Sequence, residues 1–127
     1  MNTPHCTVLI ADDDTLIREM LRLLLRDSEY DVVGEATNGP ATLELFEKLA
    51  PDIVLLDINM PGIDGIEVLE AVKHKAIKSR FIMISAEATM EKVKQALAHG
   101  AAGFIVKPLR PGKILDEINN SLRQPEN

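Results

Sequence analysis

At 127 residues the chain fits one domain and leaves no room for two, and with 46% hydrophobic and 27% charged residues it can bury a real core beneath an ordinary charged surface. Its net charge of −6 excludes the Lys/Arg excess that nonspecific binding to nucleic acid or anionic membrane needs, and is compatible with a cation site. A single cysteine, Cys6, excludes an internal disulfide, no apolar run approaches the roughly 18 residues of a membrane span, and Met1 to His5 carry no secretory signal, so a cytoplasmic location is expected.

Thr7 to Ala11 is an apolar, β-rich run that stops abruptly at Asp12, Asp13 and Asp14, which predicts a first buried strand. A helix is predicted over Thr15 to Asp27, where Leu16, Ile17, Met20, Leu21 and Leu24 follow helical spacing. Asp14 or Thr15 can cap it, and the acidic cluster suits the positive end of its dipole. Tyr30 to Ala36 reads as a second strand and Asn38-Gly39-Pro40 as a turn, with a helix from about Ala41 that presents Leu43, Phe46 and Leu49 on one face and stops before Pro51. The third strand, Asp52 to Asp57, is a continuous apolar run from Ile53 to Leu56 ending in one carboxylate, after which Pro61 and Gly62 forbid regular structure. Such a run bounded by turn signals is a strand buried on both faces. Gly65 then opens a helix carrying Ile66, Leu69 and Val72, and Arg80 to Ser85 forms a fourth strand that ends in a hydroxyl. Met90, Val93 and Leu97 mark the next helix, closed by Gly100. Gly103 to Lys107 is a fifth strand stopped by Pro108, and Pro111 begins a last helix with Ile114, Ile118 and Leu122 at successive turns. Gln124 to Asn127 is expected to fray.

Five alternations of strand and helix with short connections predict an α/β domain, a parallel sheet covered by helices on both faces. Right-handed crossovers restrict it to a few doubly wound sheets. No internal repeat, low-complexity block or linker interrupts residues 1–127, of which about 6–123 form the structured core. His5, His74 and His99 are scattered, show no zinc-type spacing with Cys6, and are expected at the surface.

All carboxyl ends of a parallel sheet lie along one edge, where open α/β sheets place their ligand crevice. Asp12, Asp13 and Asp14 follow strand one, Asp57 ends strand three, Ser85 ends strand four and Lys107 ends strand five, while Asn38 after strand two is not enlisted. Each has a plain structural alternative. Asp57 could begin a turn, Asp14 is favoured as a cap, Ser85 or Glu87 could serve the start of the following helix, Lys107 could be solvated, and Phe104 could be core. Jointly they favour a site. Crowded carboxylates are costly without a compensating cation, hard oxygen ligands suit Mg²⁺, and Lys107 and Ser85 can hold a phosphoryl oxygen.

Val8 to Asp14, Asp57 to Gly65, Met83 to Ala86 and Gly100 to Pro108 together resemble the receiver domain of two-component response regulators, of the chemotaxis-regulator kind, across almost the whole chain. The resemblance implies a flavodoxin-like doubly wound (βα)5 sandwich whose five-stranded parallel sheet has the order 2-1-3-4-5. It implies that Asp57 accepts a phosphoryl group from a phosphohistidine of a sensor kinase or phosphotransfer protein. Asp12, Asp13, Asp57 and the main-chain carbonyl of Asn59 would hold Mg²⁺, with Mn²⁺ as a substitute. Ser85 and Lys107 would bind the phosphate, and Phe104, standing where many members have Tyr, would follow the switch by packing alone. Asn59, Ala86 and Glu87 would tune how fast water reaches the acyl phosphate.

The implied role is a signalling switch rather than an enzyme. It would act on a partner, or on an output domain beyond Asn127, through the face of helix four, strand five and helix five, where Met90, Lys92, Lys94, Gln95, Lys113 and Asp116 are contact candidates. A homodimer formed on phosphorylation is compatible with this, and direct binding of nucleic acid or membrane by this domain is not expected. Two rivals are a receiver-shaped binding module that is never phosphorylated, and an Mg²⁺-dependent phosphohydrolase. The latter commonly has Asp-x-Asp where this chain has Asp57-Ile58-Asn59.

Overall fold

The computed structural model describes residues 6–73, 75 and 78–123. Within these described residues five strands and five helices alternate: β1 (Cys6–Ala11), α1 (Thr15–Arg26), β2 (Tyr30–Ala36), α2 (Gly39–Leu49), β3 (Ile53–Asp57), α3 (Gly65–Val72), β4 (Arg80–Ser85), α4 (Met90–Ala98), β5 (Gly103–Val106) and α5 (Pro111–Leu122). The strands form one parallel sheet in the order β2-β1-β3-β4-β5. The expectations for His5, His74 and the tail from Gln124 lie outside the described residues, and His99 is half-buried rather than at the open surface.

The period-two alternation of strand side chains divides the interior into two cores. Leu9, Val54, Leu56, Phe81 and Met83 face one way and pack with Phe46 of α2, Leu69 of α3 and Ala96 of α4. Val8, Ile10, Ile53, Leu55, Ile82 and Ile84 face the other way and pack with Leu21 and Leu25 of α1 and Ile114 and Ile118 of α5. β3 is buried on every residue, which is why its sequence is apolar without alternation. Pairing of β1 with β2 slips by one residue between Val8 and Leu9, so Leu9 lies opposite Gly34. A side chain at Gly34 would approach Leu49 Cδ1 to 2.8 Å.

Three local expectations are corrected. Asn38-Gly39-Pro40 is not a free turn: Asn38 caps α2 by accepting from the Ala41 N–H at 2.8 Å, and Pro40 sits in the first turn, where its missing N–H costs nothing. α4 begins at Met90 and is capped by Thr89, so Ser85 and Glu87 do not cap it. Within α4, Met90 (71%) and Leu97 (54%) are exposed, and it is Ala96 that is fully buried.

Candidate functional site

β1 and β3 are adjacent central strands, and the residues that leave their carboxyl ends meet. One carboxylate oxygen from each of Asp12, Asp13 and Asp57 lies within 4.8 Å of the others. Asp12 is fully buried and Asp57 is 2% exposed, whereas Asp13 faces solvent. Lys107, next after β5, crosses the edge of the sheet and lies 3.2 Å from Asp12 Oδ2 and 3.6 Å from Asp57 Oδ2. Its backbone N–H donates to the Ser85 carbonyl at 2.8 Å, and the Lys107–Pro108 peptide is cis.

The electrostatics follow from this crowding. Burial, reinforced by the neighbouring Asp12 charge, pushes the Asp57 carboxyl up to about 6, against the opposing pull of Lys107. Burial also works against the Lys107 ammonium, but Asp12 and Asp57 outweigh it, so the lysine pKa is raised and the cation is secured. One ammonium cannot balance three carboxylates. Asp12 Oδ2 is buried and has no aligned hydrogen bond, although Lys107 is within ion-pair range. An under-satisfied buried oxygen beside two more carboxylates fits a hard divalent cation such as Mg²⁺, and the donor set fits it too.

The other predicted residues are distributed around this group. Asp14 is the α1 cap, accepting from the Leu16 N–H at 2.9 Å. The Asn59 N–H donates to Asp57 Oδ1 at 3.2 Å, and the Asn59 side chain is exposed. Ser85 is buried, yet its hydroxyl turns into its own loop: Oγ donates to the Glu87 carbonyl at 2.9 Å and accepts from the Glu87 N–H at 3.1 Å. Ala86 and Glu87 are exposed, and Phe104 is half-buried against the core on the α2–α4 side.

Sequence reasoning passed over two residues. Arg18 Nη1 donates to the Asp12 main-chain carbonyl at 2.7 Å, and Arg18 Nε lies 3.3 Å from Glu35 Oε1 on β2. The only sequence signal was an arginine one turn beyond the acidic cap, which reads equally well as a solvated helix face.

The sequence matches the response regulator receiver domain over residues 8–119. The chain belongs to this family. Receiver domains of two-component systems are phosphoacceptor signalling switches that bind Mg²⁺ at an acidic pocket and act with sensor kinases and output domains, and Asp12, Asp13 and Asp57 form a group able to hold a metal here. This receiver is 38% identical to the chemotaxis protein CheY of Bacillus subtilis over 91% of its own length and 96% of that protein's. It is 36% identical to the nitrate/nitrite response regulator protein NarL of Escherichia coli, covering 94% of this chain and 56% of NarL, so it spans about half the length of that relative. Its fold superimposes on a chain of the CheX-CheY-BeF3-Mg²⁺ complex of Borrelia burgdorferi with a TM-score of 0.89 at 32% identity, covering 95% of this chain and 91% of that one. The sheet order 2-1-3-4-5 is the flavodoxin-like order expected. Among the described residues, no helix is long and apolar enough to cross a membrane.

Proposed function

We propose that Asp57 is the phosphoacceptor of this receiver, that Asp12, Asp13, Asp57 and the Asn59 carbonyl hold Mg²⁺, and that Lys107 and Ser85 receive the phosphoryl oxygens. The observation that carries the proposal is the buried Asp57 carboxylate at the carboxyl edge of the central strand, within 4.8 Å of two further carboxylates and 3.6 Å from Lys107 Nζ. A carboxylate oxygen of Asp57 attacks phosphorus in line, the bond from phosphorus to the donor's imidazole nitrogen breaks, and the electron pair leaves with that nitrogen. Lys107 is already drawn in by both carboxylates, so its charge meets the transferring group without reorganisation. Mg²⁺, when bound, supplies the positive charge that offsets crowded carboxylate and phosphoryl oxygens. Ser85 then exchanges its hydrogen bond to the Glu87 carbonyl for one to the new phosphate, which draws the β4–α4 loop inward. Phe104 follows by repacking against the core it already touches. Asn59, Ala86 and Glu87 border the acyl phosphate and set how fast water reaches it.

The donor is a sensor kinase or phosphotransfer protein bearing phosphohistidine. The output is a downstream partner or output domain that reads the α4–β5–α5 face, where Met90, Lys94, Gln95, Lys113 and Asp116 are exposed and Lys92 is half-buried. Residues 6–123 form the single receiver unit, as in the shorter CheY relatives. The test is intact mass after incubation with acetyl phosphate, with and without Mg²⁺, for the wild type and Asp57→Ala. One phosphoryl mass is expected in the wild type only, and only with Mg²⁺. Equal labelling of Asp57→Ala would overturn the assignment. Beryllofluoride, which accompanies Mg²⁺ in the Borrelia CheY complex, is expected to bind here only when Mg²⁺ is present.

A further inference from the structure

Asp12 is anchored at every polar atom but one. Its N–H donates to the Ala36 carbonyl at 3.0 Å, its Oδ1 accepts from the Asp14 N–H at 2.8 Å, and its own carbonyl accepts from Arg18 Nη1 at 2.7 Å. Only Oδ2 lacks an aligned hydrogen bond. Arg18 reaches in from the first turns of α1 and is nearly buried, with 14% of its side chain exposed. Arg18 meets the acidic group through the Asp12 main-chain carbonyl and not through a carboxylate. Instead its charge is taken by Glu35 of β2, at 3.3 Å from Nε, and Glu35 is held in turn by Arg22 at 2.6 Å. Arg18 Nη2 also donates to Thr15 Oγ1 at 3.3 Å, which fixes the guanidinium plane. The arginine therefore holds the backbone of Asp12 without neutralising the carboxylate. A hydrogen bond from a charged donor is roughly twice as strong as a neutral one, so this anchor is a firm one.

We propose that Arg18, steered by Glu35, is a positioning residue for the phosphoacceptor site: it fixes the direction of the Asp12 carboxylate, so that cation affinity depends on a side chain that touches neither metal nor phosphate. Without that anchor the Asp12 carbonyl loses its charged partner, the peptide that follows Asp12 is held less firmly, and the carboxylate shifts toward Lys107, whose ammonium is already 3.2 Å away. This rests on the reading of Asp12 as a metal ligand.

Sign separates positioning from simple charge. Deleting a cation beside an Mg²⁺ site should tighten binding by Coulomb's law, whereas losing the anchor should weaken it. The experiment is calorimetric titration of Mg²⁺ alone into the wild type, Arg18→Met and Arg18→Lys. It is paired with the ¹H–¹⁵N shift of the Asp14 amide, which donates to Asp12 Oδ1 and so reports on that carboxylate. Loss of partners that orient metal ligands commonly costs ~10–100-fold in affinity, and Arg18→Met is expected to weaken Mg²⁺ by about tenfold and to move the Asp14 amide. Arg18→Lys keeps the charge but cannot serve Asp12 and Glu35 with one planar fork, so it recovers only part of the affinity. If Arg18→Met does not fold, Arg18→Lys decides alone: wild-type affinity there overturns the proposal. Unchanged or tighter Mg²⁺ binding by Arg18→Met, with the Asp14 amide unmoved, overturns it as well. Failure of the wild type itself to bind Mg²⁺ would instead remove the metal-site reading on which the proposal stands.

Discussion

Asp57 is held in a chemically useful but costly state. Its carboxyl is raised to about 6 by burial and by Asp12, while an unfolded-chain aspartate titrates near the ordinary value of 3.8. Between those two values the folded metal-free protein binds more protons than the unfolded one, so stability falls as pH rises from about 4 through about 6 and then levels off. A shift of this size corresponds to the order of 2–3 kcal/mol at roughly 1.4 kcal/mol per pH unit. Urea unfolding of the metal-free protein between pH 4.5 and 7.5 is therefore expected to show this decline, and Asp57→Asn to flatten it and to be the more stable chain at pH 7. A parallel decline in Asp57→Asn would contradict the assigned cause. Much of the site was legible at this scale, because Asp12, Asp57, Ser85 and Lys107 each break or follow an apolar run, and such breaks are visible in sequence. The direction of the Ser85 hydroxyl and the reach of Arg18 to the Asp12 carbonyl were not legible, since both are set by neighbours that only the folded chain brings together.

At the scale of elements, the site depends on how closely α3 approaches the end of β3. The Gly65 N–H donates to the Ile58 carbonyl at 2.8 Å, and a Cβ on Gly65 would lie 2.6 Å from the Asp57 carbonyl oxygen and 2.9 Å from Ile58 Cα. Backbone atoms cannot step aside as a side-chain end can. Gly65→Ala is therefore expected to destabilise the fold by about 1–3 kcal/mol, the usual cost of overpacking. Gly112 is the internal control: it lies in the first turn of α5 with nothing within 4 Å of an added Cβ, so Gly112→Ala should stabilise by about 0.4–1 kcal/mol by reducing the freedom of the unfolded chain. Chemical denaturation of both variants checks the contrast, and a Gly65→Ala protein as stable as the wild type would show that α3 does not sit as described. Helix starts were the weakest part of the sequence reading. Asn38-Gly39-Pro40 and the stretch before Met90 both carry residues that serve turns and caps alike, and the hydrogen bonds that decide between them are not written in composition.

Across the whole molecule, the alternation of five apolar runs with five helical patterns was enough to give the layered α/β architecture, and right-handed crossovers narrowed the topology. The strand order itself came from the family resemblance rather than from periodicity. Burial within α4 escaped prediction because a short helix over a sheet edge covers little area. Its apolar Met90 and Leu97 stay exposed, as does Val106 on neighbouring β5, and all three stand on the proposed output face. What the architecture accomplishes is convergence, since β1, β3, β4 and β5 deliver a cation and several oxygen groups to one edge with Asp57 at the centre. The most direct test of that claim is to locate the phosphoryl group itself. The protein is phosphorylated with acetyl phosphate and Mg²⁺, reduced with borohydride, which converts an aspartyl phosphate to homoserine, and digested for peptide mass analysis. Homoserine at position 57 alone is the predicted result; homoserine at 12 or 13, with an unmodified Asp57, would contradict the account.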